Sequence, residues 1–373
     1  MTTITAVEAR TVRVPLDAPT GFSSRMVLDR FYTLVRVTGD DGVTGIGFCY
    51  PGHKAGELTT AAVRSLLKDV VVGQDAHRVE GIWRDAYQET LLHGRAGVVT
   101  RALSAVDTAL WDRNARAAGL PLYKFLGAAS VDTVPAYASG GYYLDGKGPD
   151  GLADEMRGYV DAGFGAVKMK IGRLSIAEDG ERLAAAREAV GPDVLIMLDA
   201  NNAWRDLPTA LRAMANWETY DPYWIEEPFS PDDIDNHARL AERTPVLVAT
   251  GEIEVGRWRH KELLDKQAAA ILQTDAAVCG GITEFRRIAA TADSYGVTMC
   301  PHWFHDLHAH LVAATPNADF VEFFVDGAVL NFRQLVDTQL AFEDGQLQLP
   351  DRPGLGFDFL EDAVERFAVD DWA

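Results

Sequence analysis

Apolar and polar positions alternate through most of the first fifty residues, in three segments: 4–14, 31–37 and 43–47. A period of two is typical of strands that bury one face, so the pattern predicts an antiparallel meander. The Asp-Asp-Gly turn at 40–42 predicts a hairpin, and the longer polar stretch 19–26 predicts a mobile loop between the first two strands. Gly45 and Gly47 lack the third glycine of a dinucleotide-binding motif, so we interpret them as a turn between strands.

The apolar spacing becomes helical between residues 61 and 118. The Gly-Leu-Pro segment 119–121 ends the helical stretch. Four apolar residues within it share one helix face: Leu103, Val106, Ala109 and Leu110. Beyond this point short apolar runs alternate with helical segments as far as residue 324. The last fifty residues carry a hairpin-like segment, 341–347, and we expect this tail to pack against the N-terminal region.

Ionisable residues stand at the ends of the short apolar runs, in this order: Lys168, Lys170, Asp199, Glu226, Glu252, Asp275, His302 and Glu322. From Lys170 onward they recur roughly every 20 to 30 residues, the length of a strand, a helix and two loops. Charged groups at successive strand ends are typical of the upper face of a (β/α)-barrel. The pattern predicts an α/β protein with three parts: an α+β capping domain over 1–130, a barrel over 131–325, and a C-terminal segment over 326–373.

Composition limits the possible partners and the compartment. There are 35 basic and 55 acidic residues, giving a net charge of −20, which argues against nucleic acid or an anionic membrane surface as a partner. An anionic substrate would therefore need local cations or a metal. Three cysteines without a CxxC spacing predict no disulfide framework. Neither a signal-like start nor an apolar run of about 20 residues is present, so we expect a cytoplasmic protein without a membrane span.

Three carboxylates at consecutive strand ends predict a metal site. Neighbouring parallel strands lie about 4.8 Å apart, so Asp199, Glu226 and Glu252 can converge on one ion. Ligation by oxygen alone suits Mg²⁺, and we expect one ion per active site. Asn201 follows Asp199 closely and could orient that carboxylate or contact substrate. Of Glu226 and the adjacent Glu227, alternation lets only one face the barrel mouth.

Lysine and histidine supply the candidate proton-transfer groups. Lys168 and Lys170 share a strand face, and their mutual repulsion predicts a lowered pKa for at least one of them, as suits a general base. His302 with Asp275 forms a candidate dyad, because an acceptor on one ring nitrogen leaves the other free for proton transfer. Glu322, if protonated, could hydrogen-bond a developing enolate oxygen. The other histidines of this region are interpreted as packing or surface residues: His305, His308 and His310.

The ordered set of motifs resembles the enolase superfamily, specifically its mandelate racemase subgroup. The segments that carry the resemblance are 105–112, 167–172, 199–201, 224–228 and 251–252, followed by Asp275, His302 and Glu322. The resemblance implies a modified (β/α)7β TIM-like barrel, whose N-terminal cap is completed by the C-terminal segment. It also implies Mg²⁺ held by the three carboxylates, Lys170 as a base supported by Lys168, the His302–Asp275 pair on the opposite substrate face, and Glu322 stabilising an enolate.

We expect a lyase that removes the proton α to a carboxylate and then eliminates water from an acid sugar. Racemisation, epimerisation or cycloisomerisation of a hydroxy acid, a sugar acid or its lactone is the alternative, using the same lysine and histidine. The resemblance places residues 20–26 and 50–54 above the substrate. The expected partner is a small-molecule carboxylate substrate, and the candidate residues that contact it are Ser24, Arg25, Tyr50, His53, Asn201 and Trp303. The family commonly assembles, so a homo-oligomer is expected.

Overall fold

An antiparallel three-stranded sheet forms the start of the chain. The computed structural model describes residues 1–23, 25–128, 132–325, 327, 329–343 and 345–373. The strands are β1 (Ile4–Gly21), β2 (Met26–Gly39) and β3 (Thr44–Gly52), which confirms the predicted meander. The predicted loop 19–26 is shorter than expected, because Thr20 and Gly21 still pair with Val27 and Met26. Strand pairing therefore continues almost to the tip of the β1–β2 hairpin.

Five helices follow this sheet: α1 (Glu57–Ala62), α2 (Lys68–Val71), α3 (Val79–Thr90), α4 (Val98–Ala117) and α5 (Leu122–Phe125), with a π-helical turn at Val63–Leu67. Helices α1, α2 and α4 pack on the sheet, and α3 and α5 pack on α4. Gly45 and Gly47 lie inside β3, not in a turn, so that interpretation was wrong. A Cβ atom at Gly47 would lie 2.0 Å from the carbonyl oxygen of Ala105 in α4. These glycines are needed because α4 packs directly on the backbone of β3.

Eight strands alternate with helices through the middle of the chain. The strands are β4 (Thr133–Ser139), β5 (Ala166–Lys170), β6 (Leu195–Asp199), β7 (Pro222–Glu226), β8 (Leu247–Thr250), β9 (Ile271–Leu272), β10 (Thr298–Met299) and β11 (Val321–Phe323). The helices are α6 (Pro149–Asp161), α7 (Ile176–Val190), α8 (Leu207–Trp217), α9 (Ile234–Ala241), α10 (Gly256–Asp265), α11 (Ala276–Cys279), α12 (Gly281–Ser294) and α13 (His305–Ala313), with a 3-10 turn at Glu218–Tyr220. Parallel pairing runs from β4 to β10, and β11 returns beside β4. The predicted (β/α)7β barrel is confirmed.

The strand register places the candidate site residues of β5, β6 and β7 at the same height along the barrel axis. Lys170 pairs with Asp199, and Asp199 pairs with Glu226, across β5, β6 and β7. Lys168 and Lys170 are buried inside the barrel, while Met169 packs in the layer between strands and helices. Alternation along β5 therefore separates the charged residues from the apolar core, as the sequence predicts.

The C-terminal segment contacts both domains. It contains a 3-10 turn (Asn331–Leu335), β12 (Phe342–Glu343), β13 (Gln346–Gln348) and α14 (Glu361–Arg366). The predicted hairpin does form, but β13 pairs with β4 of the barrel and not with the cap. Residues beyond it do reach the cap: Ala368 bridges to Val12, and Glu365 accepts a hydrogen bond from Arg10 at 2.7 Å.

Buried hydrogen bonds join cap helix α4 to barrel helix α12. Asp107, which is 1% exposed, accepts hydrogen bonds from the backbone N–H (2.8 Å) and hydroxyl (2.6 Å) of Thr283. The indole Nε1 of Trp83 donates to the carbonyl of Gly280 at 2.7 Å. A Cβ at Gly281, where φ is +93°, would lie 2.4 Å from the Asp107 carboxylate. This close contact fixes the cap over the barrel mouth. Among the described helices, none has the length and apolar character to cross a membrane.

Candidate active site

A cavity of about 270 Å³ lies between the barrel strand ends and the β1–β2 hairpin. The cap contributes Phe22, Arg25, Val27, Arg30, Tyr50, Pro51, Gly52, His53 and Arg101 to its lining. The barrel contributes Tyr142, Lys170, Asn201, Glu252, Ile253, Asp275, Val278, His302, Trp303 and Glu322. The cavity thus brings together charged strand-end residues from the beginning of the barrel sequence, such as Lys170, and from its end, such as Glu322.

Beneath this cavity the two lysines form a dense ion-pair network. The Nζ atom of Lys168 lies 2.7 Å from Oε1 of Glu226 and 2.7 Å from Oε1 of Glu322. The Nζ atom of Lys170 pairs with Oδ2 of Asp199. Burial alone lowers the pKa of a lysine, but the attraction of Glu226 and Glu322 outweighs it and raises the pKa of Lys168 well above its usual value. Likewise Asp199 raises the pKa of Lys170 against the effect of burial.

The prediction of a lowered lysine pKa is therefore not met by this arrangement. That prediction considered only repulsion between Lys168 and Lys170. In the structure each ammonium group forms an ion pair with a carboxylate of a neighbouring strand, which the prediction did not consider. These pairs form because strands β5, β6 and β7 end at the same level. Attraction between opposite charges in a buried site then dominates the pKa of both lysines.

The three predicted metal ligands supply the donor set that a hard cation requires. Asp199 accepts hydrogen bonds from the backbone N–H (2.9 Å) and side-chain amide (3.3 Å) of Asn201, so Asn201 orients this carboxylate. Oε2 of Glu252 is buried without a hydrogen-bond partner, and Oδ1 of Asn201 is in the same condition. All-oxygen ligation with such free acceptors fits Mg²⁺.

The carboxylates stand close to the lysines as well as to each other. Within the described ranges, no three histidine, cysteine, aspartate or glutamate side chains converge closely enough to hold an ion as they stand. Asp199 and Glu226 are turned toward Lys170 and Lys168, which compete for the same oxygens. Ligation by Asp199, Glu226 and Glu252 thus stays a prediction.

His302 and Asp275 form the expected pair across the end of β9 and β10. The ring Nδ1 of His302 lies 3.1 Å from Oδ2 of Asp275, and its Nε2 lies 3.6 Å from Oε2 of Glu252. Burial lowers the pKa of His302, but Glu252 and Asp275 together raise it to about 9. Asp275 also lies 3.4 Å from Nε2 of His308, which accepts a hydrogen bond from the N–H of Ala276 at 3.0 Å.

The structure assigns His308 a place that the sequence interpretation missed. All three histidines of α13 are buried, which agrees with a packing role for His305 and His310. His308 packs instead against the carboxylate of the dyad. The sequence offered no clear signal for this contact, because His302 precedes α13, which begins at His305, and spacing along the chain does not relate His308 to Asp275.

Glu322 is an ion-paired carboxylate. Its Oε2 accepts a hydrogen bond from the backbone N–H of Trp303 at 2.8 Å, and its Oε1 faces Lys168. Burial raises the pKa of Glu322, but Lys168 and His302 together lower it to about 2. The protonated acid assumed from the sequence is therefore not the form that this arrangement favours. Trp303 adopts φ of +76°, a left-handed conformation that directs its N–H toward Glu322.

Five of the six predicted substrate contacts line the cavity: Arg25, Tyr50, His53, Asn201 and Trp303. Ser24 lies outside the described residues. Three polar lining residues were missed by the sequence interpretation, namely Arg30, Arg101 and Tyr142, besides the apolar Val27, Ile253 and Val278. Arg30 lies within β2 and Arg101 lies in α4, so neither stands at the end of a barrel strand. The Nζ atom of Lys170 lies 5.1 Å from the ring centroid of Tyr142 and 5.4 Å from that of Phe22.

Fold and site together define a barrel enzyme with candidate proton-transfer groups, Lys170 and His302, in a carboxylate-lined cavity. Two protein-family profiles cover the chain: the mandelate racemase / muconate lactonizing enzyme N-terminal domain matches residues 4–127, and the enolase C-terminal domain-like profile matches residues 151–363. The chain belongs to the mandelate racemase subgroup of the enolase superfamily, as the motifs indicated.

Relatives of established name include both lyases and isomerases. The chain is 36% identical over 334 residues to an arabinonate dehydratase from Saccharolobus solfataricus, covering 88% of each chain. It is 32% identical over 358 residues to a 3,6-anhydro-alpha-L-galactonate cycloisomerase from Streptomyces coelicolor, covering 96% of this chain and 97% of that one. An L-talarate/galactarate dehydratase variant with Mg and L-glucarate bound superposes with a TM-score of 0.92 at 31% identity, over 100% of this chain and 93% of the other. Mg²⁺ is thus the metal found in similar structures.

Proposed function

We propose that this chain is a Mg²⁺-dependent acid sugar dehydratase. The observation that supports this most directly is the position of Lys170 and His302, which line one cavity from strands on nearly opposite sides of the barrel. A substrate between them can lose a proton to one group and receive a proton from the other. The carboxylates between these groups provide oxygen ligands for a cation that would hold an anionic substrate.

In the proposed reaction the bond between the α carbon and its hydrogen breaks, and Lys170 Nζ takes the proton. The electron pair moves into the substrate carboxylate, giving an enolate. Mg²⁺ held by Asp199, Glu226 and Glu252 would stabilise the charge that develops there. The β carbon–oxygen bond then breaks, and the hydroxide leaves as water with a proton from His302 Nε2. The resulting enol becomes a 2-keto acid.

The remaining residues hold these groups in place. Asp275 accepts a hydrogen bond from Nδ1 of His302 and so stabilises the doubly protonated ring, whose Nε2 faces the cavity and can donate its proton. Lys168 would provide positive charge beside the substrate carboxylate, and Glu322 would position Lys168. Lys170 must release its proton to act as a base, which requires that Asp199 be drawn away from it, as metal ligation by Asp199 would do.

Cycloisomerisation is the second candidate, because relatives with that activity cover almost the whole chain. The cycloisomerase from Streptomyces coelicolor and a D-galactarolactone cycloisomerase from Agrobacterium fabrum cover 96% and 99% of it, respectively. The same lysine and histidine would serve, with a ring oxygen as the leaving or attacking group in place of a hydroxyl. Racemisation or epimerisation would require only reprotonation from the side of His302.

A screen of acid sugars and their lactones with Mg²⁺ in D₂O tests the proposal. Formation of 2-keto acid and the ¹H NMR signal of the α position are followed together. A keto acid from an open-chain acid sugar is expected. Deuterium incorporation without keto acid would contradict dehydration and favour racemisation or epimerisation, and conversion of lactones or anhydro sugars alone would favour cycloisomerisation.

We also propose that the protein is a cytoplasmic homo-oligomer with the domain limits 1–130, 131–325 and 326–373. Three unpaired, buried cysteines support a reducing compartment: Cys49, Cys279 and Cys300. Light scattering at several protein concentrations would measure the oligomeric state, and limited proteolysis would test the domain limits.

A further inference from the structure

Arg30 is a buried guanidinium group on the cap side of the cavity. It lies in β2 and is 1% exposed. Its guanidinium carbon lies 4.4 Å from the ring centroid of Trp303 and 5.2 Å from that of Tyr50. Its Nε donates to the carbonyl of Val329 at 3.0 Å. These contacts hold the group in one orientation on the wall of the cavity.

Arg30 differs from the other buried arginines because no carboxylate among the described residues pairs with it. Within the described part of the chain, three further arginines are buried, and each pairs with a carboxylate: Arg10 with Glu365, Arg113 with Asp41, and Arg182 with Asp179. No described carboxylate pairs with Arg30, and its Nη2 is buried without a hydrogen-bond partner. An unpaired buried charge is costly, and acidic residues outnumber basic ones in this chain. The counterion is therefore expected to come from a ligand.

The distribution of charge around the cavity indicates where that ligand group lies. Among the described lining residues, the cap contributes Arg25, Arg30, His53 and Arg101 but no acidic side chain. The acidic lining residues all come from the barrel: Glu252, Asp275 and Glu322. A substrate whose reacting end faces Lys170 and His302 would extend its other end toward the three cap arginines, Arg25, Arg30 and Arg101. That end is expected to be an anion.

We propose that the substrate is a dicarboxylic acid sugar and that Arg30 binds the carboxylate farthest from the reacting carbon. This inference rests on the proposed function for the position of the reacting end. A guanidinium group offers parallel N–H donors that match the two oxygens of a carboxylate, whereas a terminal hydroxymethyl group would leave the charge unpaired. Arg30 is therefore a residue that selects diacids over monoacids.

A purely structural role for Arg30 makes a different prediction. Arg30 also connects Tyr50 of the cap with Trp303 of the barrel, so its removal could loosen the contact between the two domains. Loosening would impair diacids and monoacids by the same factor. The ratio of kcat/KM for a diacid to kcat/KM for the matching monoacid separates the two roles.

The experiment compares six-carbon aldarates with aldonates that differ only in the terminal carbon, across several stereoisomers, with Mg²⁺ present. The wild-type enzyme is expected to prefer the diacid by at least about 10-fold in kcat/KM. Arg30→Met should reduce this ratio by about 10-fold or more, mainly by raising KM for the diacid. Arg30→Lys, which keeps the charge but not the planar fork, should give an intermediate ratio.

Arg13→Met is the matched control. Arg13 lies in the neighbouring strand of the same hairpin, 5.8 Å from the ring centroid of Phe31, and pairs with Asp29 at 2.7 Å. It does not line the cavity, so its replacement should leave the ratio unchanged. A loss of diacid preference in Arg25→Met, with none in Arg30→Met, would overturn the assignment to Arg30.

Binding measurements keep the inference separate from the proposed reaction. Calorimetric titration of aldarate and aldonate into the wild type and both Arg30 variants needs no turnover. Absence of keto acid and of α-proton exchange would refute the proposed function, yet diacid binding that depends on Arg30 would still support this inference. Equal affinity for diacid and monoacid, no binding of either, or an unchanged ratio in a folded Arg30 variant would each overturn it. If Arg30→Met does not fold, Arg30→Lys decides by the same criteria.

Discussion

Buried positive charges have different surroundings on the two sides of the cavity, the barrel side (its floor) and the cap side (its roof). On the barrel floor, Lys168 and Lys170 are surrounded by carboxylates from neighbouring strands. On the cap roof, Arg30 is equally buried but has no described carboxylate partner. The buried cations of the floor therefore have counterions within the protein, whereas Arg30 on the roof has none among the described residues.

This difference separates two tasks. Groups that transfer protons must be held in position whether or not substrate is present, and ion pairs with fixed strands accomplish this. A group that recognises substrate gains selectivity when its charge is satisfied only by the correct ligand. The barrel floor therefore suits the chemistry that the whole family shares, and the cap roof suits the choice of substrate.

Replacing Lys170 by Met should have the largest effect, because it removes the proposed base from the floor. General base catalysis contributes up to about 10⁴-fold, and we expect a loss of that order in kcat with Mg²⁺ present. Exchange of the α proton in D₂O, measured by NMR, should be lost together with turnover. Exchange at the wild-type rate would show that another group removes this proton.

His302→Asn should reduce turnover by about 10³-fold but act on a later step. The asparagine cannot donate the proton that the leaving hydroxyl needs, while Lys170 remains in place. Exchange of the α proton into solvent is therefore expected to persist within about 10-fold of the wild-type rate. Loss of all exchange, while calorimetry still shows substrate binding, would contradict an independent role for Lys170.

Glu226→Gln should weaken Mg²⁺ binding by about 10- to 100-fold and lower turnover accordingly. The neutral amide also removes one of the two close ion-pair partners of Lys168 and leaves Glu322 as the other. Titration calorimetry with Mg²⁺ measures the affinity, and Glu181→Gln, a change at an exposed helix position, serves as the control. Unchanged activity that also resists EDTA would argue against Glu226 as a metal ligand.

The smallest expected effect concerns Asp107, and it changes the free energy of unfolding rather than turnover. Burial raises the pKa of Asp107 to about 7, against the opposing effect of its hydrogen bonds with Thr283. The folded chain then binds this proton more tightly than the unfolded chain, whose carboxyl has the ordinary value of 3.8. The stabilising contribution is full below about pH 4 and is lost as pH rises through 7.

The free energy of unfolding of the wild type, relative to Asp107→Asn, should therefore fall between pH 4 and pH 7. The slope should not exceed about 1.4 kcal/mol per pH unit. Urea unfolding at intervals of one pH unit measures it. A difference that does not change with pH would show that Asp107 ionises normally at this interface between cap and barrel.

Local sequence patterns predicted most of the barrel and its floor. Each inward charge follows an apolar strand, so Asp199, Glu226 and Glu252 could be placed at strand ends from periodicity alone. The glycines of β3 were misread, because a glycine required by close packing against α4 looks the same in sequence as one required by a turn. The dyad was found because its two residues each end a strand, whereas His308 was missed because it lies in a helix.

The sequence by itself determined the family, the order of the strands and the kinds of group that face the cavity. Only the tertiary structure decided the electrostatics and the partners of those groups: that Lys168 and Lys170 have raised pKa values, that Glu322 has a lowered pKa, and that Arg30 has no carboxylate partner among the described residues. The physical reason is that electrostatic energies depend on distances of a few ångströms between residues from separate strands and domains. Spacing along the chain specifies which strand a residue ends, but only folding sets those distances.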